Sequence, residues 1–296
     1  MLEEFKNAFN RPNNSHVQLI LINVAVFLVL AVLFVFSTVS GFKESFNILH
    51  HQFSIPPVFS EFITRPWTII TYAFAHSFDI WHIVFNMLAL YWFGKLFVEY
   101  LGSDKLTALY ILGALAAGIV YLLVFNTIPF FKDRAATFDG MVGASGAVYA
   151  IMVATATLLP DYTFFLLFLG PVRIKYIAAF YIVLSFLGSV GGNAGGNIAH
   201  LGGAFMGYLY IKQLQAGVNW GGWITATLEW FSGWFKPSAK VKVTYRKESP
   251  RKDQATKFSK ATQDEIDAIL DKISDKGYES LSKDEKEKLF NASRKN

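Results

Sequence analysis

The sequence predicts an all-α membrane protein, a bundle of six transmembrane helices with a small helical tail. Hydrophobic residues make up 53% of its 296 residues and the mean hydropathy is +0.35, which is high for a soluble domain. Charged residues are concentrated at one end, with 27 in residues 236–296 against 22 in residues 1–235. Several apolar runs also reach the roughly 20 residues that a helix needs to cross a hydrocarbon core.

Apolar runs define the six predicted spans. The first four cover residues 17–39, 80–98, 106–125 and 141–159. No Lys, Arg, Asp or Glu occurs between Lys175 and Lys212, a stretch too long for one crossing. Its glycines at 188–196 divide it into a fifth and a sixth helix. Six crossings place both termini on the same side of the membrane.

Basic residues at the helix ends predict the orientation, because Lys and Arg are enriched on the cytoplasmic side. Seven of them lie on the side of the termini and four on the other. We therefore expect a multi-pass protein of the cell (inner) membrane with both termini in the cytoplasm. The first residues, MLEEFKNAFN, lack the basic region and cleavage site of a signal peptide, so the first span is expected to remain as an anchor.

The layout predicts five segments. They are an N-terminal cytoplasmic segment (1–16), the six-helix domain (17–215), an interfacial Trp-rich segment (216–235), a charged linker (236–261) and a two-helix cytoplasmic segment (262–296). In the last segment, Thr262–Glu265 and Ser282–Glu285 match the capping-box pattern, and Gly277 is expected to end the first helix. The tail either contacts anionic lipid or a protein, or its linker is simply solvated.

Composition and spacing also exclude several kinds of chemistry. The sequence contains no cysteine, which excludes thiol nucleophiles, Cys-ligated zinc and iron–sulfur clusters. No nucleic-acid motif accompanies the basic tail, and no His spacing indicates a metal site. We expect no cofactor, no metal and no nucleic-acid partner. A small transporter would need ionisable groups near the midplane and repeated halves, and neither is found in the sequence.

Polar side chains within the spans are the strongest candidates for function, because they are costly in a bilayer without partners. His82 and Asn86 begin the second span, Ser145 and Tyr149 the fourth, and His200 the sixth. All five therefore lie at similar depth near the outer face. A hydroxyl and an imidazole on neighbouring helices can form a nucleophilic dyad, and no acidic residue in the spans is placed to complete a triad.

The other polar residues would support the dyad. His82 and Asn86 are four residues apart, so they share a helix face and can donate to an oxyanion. The N–H of Ser145, near a helix N-terminus, is a further donor. The ring of Tyr149 is expected to pack on the imidazole of His200.

Each candidate also has a simpler explanation when it is taken alone. Ser145 could be a packing serine, His200 a structural or proton-relay histidine, and His82 with Asn86 a hydrogen-bonding link between helices. Their coincidence at one depth favours catalysis. Small residues on the fourth and sixth spans permit the close helix packing that a short Ser–His hydrogen bond requires.

Three strings in the sequence carry a family resemblance. They are RPWTIITYAFAHSFDIWHIVFNM (65–87), GASGAVYA (143–150) and AHLGGAFMG (199–207). Over residues 17–215 the chain resembles the rhomboid intramembrane serine proteases, in their bacterial form with an appended C-terminal cytoplasmic segment. The resemblance implies a six-span serine endopeptidase that cleaves the transmembrane segments of single-pass membrane proteins within the lipid bilayer, at a site that opens to the outer face.

The resemblance also implies a role for each candidate residue. The implied roles are Ser145 as nucleophile, His200 as general base, His82 and Asn86 as the oxyanion hole, and Tyr149 and Gly143 as supporting residues. Thr68 follows Trp67 where many family members carry arginine, so the anchoring of the first outer loop departs from the family pattern. The alternative function is that of a rhomboid-like pseudoenzyme that binds membrane segments. Loss of the serine or the histidine would indicate such a pseudoenzyme, and both residues are present.

Overall fold

The computed structural model describes residues 11, 13–167, 169–235 and 255–293. These residues belong to two compact units, Met1–Pro237 (unit 1) and Ser238–Asn296 (unit 2). In chain order, the elements of unit 1 are α1 (Ser15–Val39), α2 (Lys43–His51), α3 (Phe59–Thr64), α4 (Thr68–Thr71), α5 (Ile80–Leu101), α6 (Ser103–Thr127), α7 (Pro129–Lys132), α8 (Ser145–Leu158), β1 (Thr163–Leu166), β2 (Gly170–Arg173), α9 (Ile174–Gly188), α10 (Ala194–Gln215) and α11 (Gly222–Phe235). Apart from one short hairpin and one isolated bridge between Ile55 and Met141, the regular secondary structure of the described residues is helical.

The helical class predicted from the sequence is confirmed. Each of the six apolar runs contains one helix: α1, α5, α6 and α8 in the first four, then α9 and α10 on either side of the glycine-rich break. By length and composition, α1, α5 and α6 can cross a membrane, whereas α8 and α9 are shorter apolar helices. With 14 residues at 1.5 Å each, α8 extends only about 21 Å.

Small residues bring the backbones of α8 and α10 into direct contact. A Cβ added to Gly203 would overlap the carbonyl oxygen of Gly146, and one added to Gly207 would overlap the carbonyl oxygen of Ala150. Such contacts are typical of helix pairs in membranes, where packing replaces the hydrophobic effect between helices. They fix the start of α8 beside the third turn of α10.

The side of unit 1 around α9 is packed much more loosely. Only three residues of α9 are buried: Ile174, Ala178 and Ser185. Before α9, β1 pairs with β2 in antiparallel register from Thr163–Arg173 to Leu166–Gly170. This hairpin was not predicted from the sequence. Its turn carries Leu167 and Leu169, which are 88% and 75% exposed and give this side an apolar surface.

Unit 2 contains α12 (Ala255–Lys276), a 3-10 turn (Tyr278–Ser280) and α13 (Lys283–Ser293). The predicted helix start at Thr262 is wrong, because α12 already begins at Ala255, inside the predicted linker. Residues 255–261 read ATKFSKA, with no Gly or Pro that would end a helix. The linker residues 236–254 and the first ten residues of the chain lie outside the described part.

The second capping box is confirmed. The Ser282 N–H donates to Glu285 Oε2 at 2.7 Å, and the Glu285 N–H donates to Ser282 Oγ at 3.3 Å. Gly277 follows α12 with φ of 77°, a conformation that favours glycine, and its N–H bonds to the Ile273 carbonyl at 2.9 Å. Both features of local sequence therefore act as predicted.

Candidate active site

A serine and a histidine meet where α8 begins. Ser145 is the first residue of α8 and His200 lies in the second turn of α10. His200 Nε2 is 2.8 Å from Ser145 Oγ, which is hydrogen-bond distance. The close contact of α8 with α10 through Gly203 makes this distance possible, because a bulkier residue there would separate the two helices. In this geometry the imidazole can take the hydroxyl proton.

A stacked tyrosine ring and a serine hydroxyl hold the rest of the His200 ring. The Tyr149 ring stacks on the imidazole with centroids 4.1 Å apart and an interplanar angle of 10°. Ser185 Oγ, on α9, lies 3.1 Å from His200 Nδ1 and donates to the Tyr149 hydroxyl at 3.0 Å. The sequence analysis did not identify Ser185. An available signal was its place as a small polar residue in the uncharged run between Lys175 and Gly188.

His82 faces Ser145 from the start of α5. Asp79 caps this helix by accepting the Trp81 N–H at 3.0 Å. A Cβ built on Gly143 would lie 3.2 Å from His82 Nε2, so this edge of the ring faces the loop just before Ser145. His82 Nδ1 lies 2.8 Å from Ser77 Oγ, a second hydroxyl that the sequence analysis missed.

Asn86 is bound into its own helix. Its Nδ2 donates to the His82 carbonyl at 2.7 Å, and the residue is only 8% exposed. An amide nitrogen carries two hydrogens, so one remains for a second acceptor. Asn86 therefore lies one helical turn from His82 and keeps one amide hydrogen available for a further hydrogen bond.

The loop before α8 depends on Gly143. Its φ of 137° lies in the region that favours glycine, and its N–H donates to the Tyr72 carbonyl at 2.9 Å. The N–H of Ser145 belongs to the first residue of a helix, where backbone donors have no acceptor within the helix. The Ser145 N–H is therefore a free backbone donor next to the hydroxyl.

These side chains line one cleft of about 1120 Å³. The candidate residues in its wall are His82, Asn86, Ser145, Tyr149 and His200. Aromatic residues of α5 and α9 and apolar residues of the hairpin extend the wall: Trp81, Phe85, Trp92, Phe93, Tyr176, Phe180, Tyr181, Phe164, Leu166 and Val172. The wall of the cleft is thus mostly apolar and includes the polar Ser–His pair, which suits an apolar chain with one reactive carbonyl.

The described part of the chain contains no candidate metal-binding site. There, no three side chains of His, Asp or Glu are grouped so that they could hold a metal ion. The site's reactive groups are instead a hydroxyl, two imidazoles, an amide and backbone N–H groups. Such a set can perform acyl transfer through a serine ester.

Comparison with known proteins identifies two matching families. The profile described as "Rhomboid domain" matches residues 64–215. A second profile, described as "Family of unknown function (DUF6576)", matches residues 253–295. The first match covers all the candidate site residues, and the second covers α12 and α13.

Several curated proteins are similar to this chain. It is 37% identical over 163 residues to "RHOMBOID-like protein 12, mitochondrial" of Arabidopsis thaliana, covering 52% of this chain and 48% of the relative. It is 33% identical over 168 residues to "Rhomboid protein 1, mitochondrial" of Saccharomyces cerevisiae, covering 54% and 45%. It is 28% identical over 151 residues to "Presenilin-associated rhomboid-like protein A, mitochondrial" of Danio rerio, covering 50% and 37%. The chain thus spans about half the length, or less, of these relatives.

These names correct the predicted location. The relatives are mitochondrial by name, which points to an organelle membrane and contradicts the bacterial cell (inner) membrane expected from the sequence. The expected cytoplasmic termini and outer-face opening depended on that location and are withdrawn with it. The physical reason is that basic residues order the two sides of a membrane but do not identify the membrane.

Proposed function

The chain belongs to the rhomboid family, and from this premise we propose that it is an intramembrane serine endopeptidase that cleaves transmembrane segments through a Ser145–His200 dyad. The observation that carries the proposal is the 2.8 Å contact between Ser145 Oγ and His200 Nε2 in the wall of a largely apolar cleft. A pseudoenzyme has no need for this geometry.

In the proposed reaction, His200 Nε2 takes the Ser145 proton while Oγ attacks the scissile carbonyl carbon. The C=O π electrons move to the oxygen and create a tetrahedral oxyanion. The His200 imidazolium then returns the proton to the leaving amine as the C–N bond breaks, which yields an acyl-enzyme on Ser145. The same histidine then deprotonates a water molecule, which attacks the ester carbonyl carbon. As the C–Oγ bond breaks, the imidazolium returns its proton to Ser145 Oγ and the acid product is released.

Three donors are placed to stabilise the oxyanion. His82 presents its Nε2 edge towards the loop before Ser145, Asn86 retains one amide hydrogen, and the Ser145 N–H has no acceptor within its helix. Gly143 supports this arrangement because its backbone conformation favours glycine. Tyr149 supports it by stacking on the general base.

The six apolar helices α1, α5, α6, α8, α9 and α10 are proposed to span the bilayer, with α11 at its interface. The aromatic cleft between α5 and α9 would receive an apolar segment of a single-pass membrane protein. Exposed Phe85 and Phe180, at 64% and 60%, would then contact substrate or lipid. The bilayer itself is therefore a partner of the protein.

The test is cleavage of a single-pass reporter by the full chain in liposomes. We expect cleavage by the native protein and a loss of at least about 10³-fold in Ser145→Ala and in His200→Ala. His51→Ala, a histidine change in α2 away from the cleft, is the matched control and should retain activity. Equal activity in all four proteins would contradict the dyad. A native protein that binds the reporter but neither cleaves it nor reacts with a fluorophosphonate would be a pseudoenzyme.

A further inference from the structure

We propose that Ser185 is a positioning residue that holds His200 in the tautomer required for general-base catalysis. The inference rests on the proposed function and adds a third member to its dyad. Ser185 Oγ, 3.1 Å from His200 Nδ1, would accept the Nδ1–H hydrogen bond. A neutral hydroxyl on α9 thus takes the place that a carboxylate has in a triad.

The direction of each hydrogen bond follows from the chemistry of the groups. Nε2 can take the Ser145 proton only if it carries a lone pair, so the proton of the neutral imidazole must be on Nδ1. Nδ1–H then donates to Ser185 Oγ. The hydroxyl hydrogen of Ser185 is left to donate to the Tyr149 hydroxyl, 3.0 Å away. In this order all three bonds are formed and Nε2 is free to act as a base, whereas the reverse order would place the proton on Nε2 and prevent it from taking the Ser145 proton.

Burial makes an acceptor at Nδ1 important. Ser185 is 1% exposed, and an N–H without a partner is costly in such surroundings. In the described part of the chain, the hydrogen bonds shown for the His200 ring are those with Ser145 and Ser185. A hydroxyl supplies the acceptor without placing a charge among apolar helices.

The position of Ser185 also connects the base to α9. Ser185 is buried on a helix whose other buried residues, Ile174 and Ala178, are apolar. Asn197 Nδ2 donates to the Gly188 carbonyl at 2.9 Å and ties the end of α9 to α10. Moving α9 away from α10 would break the Ser185–His200 bond. His200 is therefore oriented as a base only while α9 is packed against it.

The first test is the tautomer of His200 in the full chain, labelled with ¹⁵N-histidine and held in lipid nanodiscs. The His200 signals are those that disappear in His200→Ala. We expect a protonated Nδ1 and an unprotonated Nε2 in the native protein, and a mixture of tautomers in Ser185→Ala. The control is Ser189→Ala at the same end of α9, where the hydroxyl bonds to the Phe186 carbonyl at 2.7 Å, and it should show the native pattern.

The second test uses the cleavage kinetics of the same proteins. Ser185→Ala should lower kcat by roughly 10- to 100-fold with KM unchanged, because orientation of a general base acts on the chemical step. Ser185→Thr keeps a hydroxyl at this position and should recover most of the activity. Ser189→Ala should match the native protein in both constants.

Three results would overturn the proposal. One is an Nε2–H tautomer in the native protein, which needs no variant to detect. Another is unchanged kcat and tautomer in Ser185→Ala. A third is equal loss in Ser185→Ala and Ser185→Thr, with lower Tm and an unchanged tautomer, which would show a packing role alone. A native protein that labels at Ser145 while Ser185→Ala changes neither kcat nor the tautomer contradicts only the role of Ser185, whereas absence of labelling contradicts the proposed function.

Discussion

The candidate active site and the C-terminal helix pair use polar groups in opposite ways. At the site, neutral hydroxyl and imidazole groups of Ser145, His200 and Ser185 are joined inside apolar walls. In unit 2, the polar contacts include ion pairs near the surface, such as Lys288–Glu265 at 3.0 Å and Lys286–Glu279 at 3.3 Å. The contacts of the Ser145–His200–Ser185 group are therefore neutral, whereas contacts in the tail carry charge.

The difference shows what stabilises each region. Neutral hydrogen bonds in an apolar interior are insensitive to salt, and their geometry is fixed by helix packing. Exposed ion pairs contribute little each and are screened by salt. We therefore expect changes in helix packing to damage the site most, loss of one hydrogen bond to damage it less, and titration of one carboxylate to affect the tail least.

The largest effect is expected from Gly203→Ala. The new methyl group would overlap the Gly146 carbonyl and force α8 and α10 apart. Overpacking of this kind costs about 1–3 kcal/mol, and a Ser145–His200 separation that grows by even 1 Å should lower cleavage by about 10²-fold. The measurement is Tm and reporter cleavage in liposomes.

Gly233→Ala is the matched control for this glycine. Gly233 also lies in a helix, α11, but no atom lies within 4 Å of a Cβ added there. It should keep native Tm and activity. Native activity in Gly203→Ala would show that the close backbone contact does not position the dyad.

A smaller effect is expected from Ser77→Ala. To donate to the oxyanion, His82 must carry its proton on Nε2, the edge that faces the loop before Ser145. Its Nδ1 then accepts from the Ser77 hydroxyl, 2.8 Å away, and this bond selects the donor tautomer. Without this hydroxyl the donor tautomer is no longer selected, and kcat should fall by about 10-fold with KM retained.

A conservative replacement of Ser77 distinguishes selection of the His82 tautomer from a role in packing. Ser77→Thr keeps the hydroxyl and should restore kcat, whereas Ser60→Ala, an exposed serine of α3, should change neither constant. A Ser77→Ala protein with higher KM and native kcat would place Ser77 in substrate binding instead.

The smallest effect is expected at Glu285 in the tail. The hydrogen bond from Lys272 and then the Ser282 N–H lower the pKa of Glu285 to about 2, from an ordinary value of 4.5. Because the folded pKa is the lower one, the ionised carboxylate stabilises the folded tail above pH 4.5, and this stabilisation is lost as the pH falls towards 2. Glu285→Gln should remove this dependence on pH.

Pepsin digestion of the full chain between about pH 2 and 5 can measure this loss. At each pH the native protein is compared with Glu285→Gln and with Glu287→Gln, which removes the same charge from the same helix. The native tail should resist cleavage better than the Glu285→Gln tail at pH 5, and equally near pH 2. A native advantage that persists unchanged at pH 2 would contradict the assigned ion pair.

Much of this architecture could be predicted from the sequence because apolar runs and local signals act over short distances. The helices, the Ser282 cap and the Gly277 stop depend on neighbouring residues alone. The start of α12 was misplaced because a capping pattern at Thr262 does not prevent a helix from continuing through it. The hairpin at 163–173 was missed because its strands have four residues each, too few to show a period.

The site shows the same division. Ser145, His82 and His200 could be predicted from the sequence, because polar residues are rare in the spans and these three fall at one depth. Ser185 and Ser77 could not be predicted, because serines are common among apolar residues. The partner of each hydroxyl depends on how the helix of Ser185 is rotated and on the path of the loop that carries Ser77. Their hydrogen bonds to His82 and His200 depend on the tertiary structure and leave no pattern in the sequence.

The most direct test of the central claim is the rate of fluorophosphonate labelling in the full chain, with the labelled peptide identified by mass spectrometry. We predict labelling at Ser145 in the native protein and labelling at least about 10³-fold slower in His200→Ala, because the histidine must take the serine proton. Labelling at another residue, or at Ser145 with a rate that does not depend on His200, would contradict the dyad.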